Sequence, residues 1–108
     1  MTDTAAIEER LTERLSELRA RLTRVNADLA EPLNADSSEQ AGEVEDDAGL
    51  EAEASLIVRE AASIDRALER IAKGTYGECV RCGSQIAPAR LDARPEAALC
   101  IDCARAEQ

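Results

Sequence analysis

Apolar residues recur at Ile7, Leu11, Leu15, Leu18, Leu22, Val25 and Leu29, in steps of three or four with charged residues filling the intervals. Steps of that size return to one side of a 3.6-residue turn, so the pattern predicts a long amphipathic helix. The stripe resumes at Leu50, Ala54, Ile57, Ala61, Ile64, Leu68 and Ile71, where steps of four and three alternate as an unbroken heptad and predict a second helix. Each stripe is narrow, and a helix with so small an apolar face needs a partner to cover it. The two seams are of near-equal length, which suits an antiparallel coiled-coil hairpin of roughly 33 Å. An intermolecular coiled coil is the alternative.

The connection between the stripes is rich in turn chemistry. Pro32 discourages helix at Glu31, and Asn34, Asp36, Ser37 and Ser38 follow. Asp36-Ser-Ser-Glu39, or Ser37-Ser-Glu-Gln40 one place on, reads as a capping box that opens the second helix near Ser38. Lys73 followed by Gly74 closes it, a cation in the last turn before a residue suited to the left-handed cap. From Asp28 to Glu53 there are ten acids and no base, so the hairpin tip, near residues 31–45, carries strong negative charge that ions, solvent or a basic partner must offset.

Charge and composition narrow the function classes. The chain has 108 residues and a formal net charge of −10, a sign that repels phosphates and argues against direct nucleic-acid binding. A single aromatic residue, Tyr76, cannot build the thick core of a sandwich or of an α/β sheet. Lys73 is the only lysine among 13 bases, so polar contacts tend toward the planar geometry of arginine and hint at protein partners. The first residues lack a basic segment followed by an apolar one, and no run is apolar enough to cross a bilayer, which leads to the expectation of a cytoplasmic protein.

Four cysteines supply the chemistry. Cys79 and Cys82 form one Cys-x-x-Cys pair and Cys100 and Cys103 another, with 83 to 99 between them. Attachment of c-type haem needs a histidine after the second cysteine, and the chain has none. Thioredoxin-like chemistry wants the pair inside a βαβ sheet, for which there is no strand pattern. The spacing suits zinc: each knuckle aims two thiolates at one point, Gly83 relieves the first turn, and four thiolates close a tetrahedron around one structural Zn²⁺. Metal binding would then supply much of the folding free energy of a module whose sizeable apolar residues are Tyr76, Val80, Ile86, Leu91, Leu99 and Ile101. Disulfides and an iron–sulfur cluster are the alternatives.

The stretch "GTYGECVRCGSQIAPARLDARPEAALCIDC", residues 74 to 103, resembles the C-terminal zinc finger of the DksA/TraR family of bacterial transcription regulators. The likeness runs through Tyr-Gly-x-Cys-x-x-Cys-Gly, Ile86, Arg90-Leu91, Ala93-Arg94-Pro95 and Cys-Ile-Asp-Cys, with a hairpin directly upstream. The resemblance implies an all-α protein, a hairpin over 1–73 followed by a Cys₄ finger with short helices over 74–108. It implies binding to RNA polymerase rather than to promoter DNA, with the coiled coil in the secondary channel and the acidic tip approaching the active centre. The family's tip pattern, Asp-x-x-Asp-x-Ala, falls on Asp36, Glu39 and Ala41, with a glutamate replacing the second aspartate; satisfying backbone N–H groups in a capping box is the plainer role for the same carboxylates. Guanosine tetraphosphate is bound in the family by basic residues of which Arg90 and Arg94 remain here, while Ser63 and Ala104 stand where cations are expected. Offsetting thiolate charge or anchoring short helices is the plainer role for the two arginines. Fuller members of the family extend further at both ends than this chain.

These readings point to a monomeric, non-enzymatic regulator of transcription initiation of the stringent-response type. A zinc-ribbon adaptor with an acidic coiled coil that binds another protein or dimerises is the rival, and a thiol redox sensor the third reading.

Overall fold

A computed structural model of the chain describes the backbone of residues 4–30 and 37–107, and side chains over 4–29 and 48–107. Four helices occur among the described residues: α1 (Thr4–Ala30), α2 (Ser37–Lys73), α3 (Pro88–Ala93) and α4 (Ile101–Ala106). No strand is formed there, and one isolated antiparallel bridge joins Glu78 to Gln85. No described helix is long and apolar enough to cross a membrane.

The seams of α1 and α2 close on each other within one chain, as a helical hairpin. On α1 the stripe buries Leu11, Leu15, Leu18 and Val25, with Ile7, Leu22 and Leu29 half-covered. On α2 it buries Ile57 and Ile64, with Leu50, Ala54, Ala61, Leu68 and Ile71 half-covered. Ala67 joins them with no exposed surface at all. It lies three residues after Ile64 and so shares that side of the helix with Leu68, which makes the buried face wider than a single heptad row. Leu56 and Val58 flank Ile57 in the sequence, about 100° to either side of it, and are 65% and 52% exposed.

Two compact units share these helices. One comprises Ser16–Ala61, where Leu22 and Asn26 of α1 line a groove with Ala54, Ser55, Val58 and Arg59 of α2. The other comprises Met1–Leu15 with Ala62–Gln108 and holds the start of α1, the end of α2 and the cysteine module. Of the expected tip, Asp36 lies outside the described residues, and Glu39 and Ala41 fall in the opening turns of α2 with their side chains outside the description. That helix starts at Ser37, one residue ahead of expectation.

The end of α2 is fixed by its own backbone. Gly74 takes φ 78°, its N–H donates to Ile71 O at 3.2 Å, and the Thr75 N–H donates to Arg70 O at 2.9 Å. This pair of bonds is a Schellman cap, which satisfies two carbonyls that the helix leaves without partners and turns the chain toward the cysteines.

Candidate metal centre

The first knuckle closes on itself. The Cys79 N–H donates to Ser84 O at 2.8 Å, the Gly83 N–H donates back to Cys79 O at 2.9 Å, and the Ile86 N–H donates to Gly77 O at 2.8 Å. Gly83 sits at φ 77°, a conformation in which a Cβ would be strained, so the expected relief of this turn by glycine is what the backbone shows. The second knuckle is built on a helix start: Cys100 is the N-cap of α4 and Cys103 lies one turn on, a spacing that puts both side chains on one face.

These turns bring the four sulfurs together. All lie within 4.8 Å of one another, the Sγ atoms of Cys82 and Cys100 are 3.7 Å apart, and the four cysteines form no disulfide. A zinc–sulfur bond of about 2.3 Å with tetrahedral angles gives a sulfur–sulfur edge of roughly 3.8 Å, which the Cys82–Cys100 pair matches, and no other pair of donors exceeds it by more than about 1 Å. Their acidities point the same way. The Cys79 thiol is brought down to about 6, chiefly by the backbone N–H of Cys100, with those of Cys82 and Arg81 adding to it. Cys82 is lowered by the Ser84 hydroxyl. Cys103 is pushed up to about 12 because its thiol hydrogen-bonds Cys100 and is desolvated. Four sulfurs this close cannot all ionise unaided, and a divalent cation at their centre removes the conflict.

Cys79, Ile86, Leu91 and Ala97 form the buried cluster of the module, with Tyr76, Leu99, Cys100 and Cys103 packed against it. Two of the module's sizeable apolar residues lie outside this cluster: Val80 and Ile101 are 62% and 47% exposed. Each directly follows a cysteine whose sulfur is aimed inward, and the turn of the knuckle sends the next side chain out.

From α3 to Cys100 the chain has no regular structure, yet each carbonyl from Arg94 to Cys100 accepts a hydrogen bond. Arg94 O accepts from the Ala97 N–H at 3.0 Å, and Pro95 O from the Tyr76 hydroxyl at 2.8 Å. Glu96 O and Ala97 O both accept from Nη2 of Arg70, each at 3.4 Å. Ala98 O accepts from the Val80 N–H at 2.9 Å, Leu99 O from Nε of Arg90 at 2.9 Å, and Cys100 O from the Ala104 N–H at 2.9 Å. Arg10 of α1 adds a bond from Nη2 to Asp92 O at 3.2 Å.

Arg90 thus has an anchoring role, the plainer of the two that its sequence context allows. Arg94 is exposed, and both arginines line a cavity of about 740 Å³ with Cys82, Cys100 and Cys103. Arg10 and Arg70 carry no signal in the spacing, because a cation in a solvated stripe or a last helical turn reads as a response to solvent or to the helix dipole.

Comparison with known proteins agrees with this architecture. Residues 74–108 match the prokaryotic dksA/traR C4-type zinc finger, and residues 7–71 match the DnaK suppressor protein-like N-terminal domain. An uncharacterized protein of Aquifex aeolicus is 56% identical over 41 residues, which are 38% of this chain and 28% of that protein. The RNA polymerase-binding transcription factor DksA of Escherichia coli K12 is 45% identical over 40 residues, 37% of this chain and 26% of that protein. The matched stretch therefore spans little more than a quarter of each of these curated relatives. Among solved structures, transcription factor DksA2 from Pseudomonas aeruginosa superposes with a TM-score of 0.81 at 30% identity, covering 95% of this chain and 81% of that one. The solution structure of the DnaK suppressor protein from Agrobacterium tumefaciens C58 gives a TM-score of 0.69 at 39% identity, covering 98% and 95%. With a finger whose four cysteines can hold one zinc ion and a helical hairpin that both match, the chain belongs to the DksA/TraR family.

Proposed function

We propose that this protein is a non-enzymatic transcription regulator that binds bacterial RNA polymerase through its secondary channel and alters the stability of promoter complexes. The observation that carries the reading is the finger over residues 74–108 attached to a matching hairpin, in a family that includes an RNA polymerase-binding transcription factor. Residues 1–73 serve as the hairpin module and 74–108 as the finger, with zinc in a structural role.

The acidic tip, with Asp36 and Glu39 as its carboxylates and Ala41 beside them, acts at the polymerase active centre. A net charge of −10 favours entry into a basic-lined channel and disfavours DNA, so the partner is the polymerase and not the promoter. Binding biases the equilibrium among promoter complexes, lowering initiation at unstable promoters such as those of ribosomal RNA. Arg90 and Arg94, on the cavity beside the finger, contact the polymerase or guanosine tetraphosphate at the interface. The protein acts as a cytoplasmic monomer.

The test is binding of fluorescently labelled chain to purified bacterial core RNA polymerase, challenged with an unlabelled factor that occupies the secondary channel. Competitive displacement is expected, and absence of binding at micromolar polymerase overturns the reading in favour of an adaptor for another protein. Alanine at both Asp36 and Glu39 is expected to leave binding within about threefold and to abolish the effect on initiation in a transcription assay, since the tip acts after entry.

A further inference from the structure

The two halves of the cysteine site are supported differently. The first knuckle is held by its own backbone, through Gly83, the Cys79–Ser84 bond and the Glu78–Gln85 bridge. The second is delivered by the irregular segment 94–99, and that segment borrows side chains from outside itself. Tyr76 holds Pro95 O, Arg70 holds Glu96 O and Ala97 O, and Arg90 holds Leu99 O. Arg70 supplies the link to the hairpin. Its own carbonyl is locked in the cap that ends α2, its side chain is half-buried, and burial holds its pKa below the ordinary arginine value. A guanidinium so placed has given up part of its hydration and is committed to the two carbonyls.

We infer that Arg70 is a positioning residue for the metal centre, which steadies the second knuckle by holding the carbonyls of Glu96 and Ala97, four and three residues ahead of Cys100. An unregular segment without these bonds samples many conformations, and the ion must then order it at the expense of affinity. With them, part of the ordering that metal binding demands of this segment is supplied by the protein's own hydrogen bonds, so bringing Cys100 and Cys103 to the ion costs less of its binding free energy. Metal occupancy and the end of α2 are coupled through the same side chain. This holds whether or not the protein acts on RNA polymerase.

The experiment measures the zinc affinity of the full chain by competition with a chromogenic chelator, with helix content followed by circular dichroism. Arg70→Ala is expected to bind zinc roughly tenfold more weakly or worse, in the range found for groups that orient metal ligands without touching the metal. The control is Arg66→Ala, one turn earlier on α2, where the guanidinium reaches Ser63 Oγ and not the finger. It is expected to match the parent. A loss produced only by removing positive charge near thiolates would be screened by salt, whereas loss of positioning persists at high ionic strength. Parent affinity within twofold for Arg70→Ala, an equal loss in Arg66→Ala, or a loss that disappears in high salt each overturns the inference. Arg70→Lys covers the case in which the alanine variant loses its helices. Its stem ends one bond short of the position of Nη2, so the ammonium falls short of the two carbonyls, which is expected to cost at least about threefold in zinc affinity, and parent affinity there sinks the idea.

Discussion

Tyr76 is the one aromatic residue of the chain, and its hydroxyl donates to Pro95 O at 2.8 Å while its ring packs on the finger cluster. Burial raises its pKa above the ordinary 10.0. The folded state therefore holds the phenolic proton more tightly than the unfolded chain, so the stabilisation is complete below about pH 10 and is lost as pH rises through the raised value. The zinc-loaded chain is expected to melt at lower temperature as pH climbs past that point. Tyr76→Phe should flatten this alkaline limb and cost about 1 kcal/mol at neutral pH, read from thermal melts at a series of pH values. At this scale the sequence was legible for the cysteines, because paired thiols with two residues between them have few chemical uses. It was silent on which carbonyl each polar side chain would reach. The distances from Tyr76 to Pro95 and from Arg70 to Ala97 exist only once the chain has doubled back.

Among elements, the heptad steps mark the covered face of each helix. Leu18 and Ile64 are each 1% exposed, and truncating either to alanine is expected to cost about 2–5 kcal/mol in a denaturant titration. Leu56→Ala, at a position 65% exposed, should stay within about 0.5 kcal/mol. Equal costs at Leu56 and Ile64 would mean that the buried seam has been wrongly placed. Ala67 shows where the pattern fell short. A small residue gives a weak periodic signal, yet Ala67 is completely covered, and Ala67→Leu is expected to destabilise by about 1–3 kcal/mol through overpacking. The start and end of α2 were readable to within one residue, from a serine-rich cap and from Lys73-Gly74, since caps are local chemistry.

At the scale of the whole molecule, metal and fold should be inseparable in the finger. Its buried cluster has four residues, one of them Cys79, too few to hold the module without the ion. Chelation of zinc is expected to change the fluorescence of Tyr76 and to unfold residues 74–107, while most of the helical signal at 222 nm persists because α1 and α2 bury their own seam. An unchanged Tyr76 signal after complete zinc removal would show that the cluster suffices alone. The sequence by itself marked two amphipathic helices with their caps and four cysteines at zinc spacing, because periodicity, capping and cysteine spacing are local and each has few physical solutions. The family came from the likeness of residues 74–103, and the pairing of the helices within one chain from the fold. Only the tertiary structure decided that Val80 and Ile101 face solvent, that Ala67 is buried, and that Arg70 and Arg90 hold the approach to Cys100. The exposures follow from how the knuckles turn and how closely the helix packs, and the arginine contacts from which backbone carbonyls the folded chain leaves without partners; neither leaves a periodic mark on the sequence.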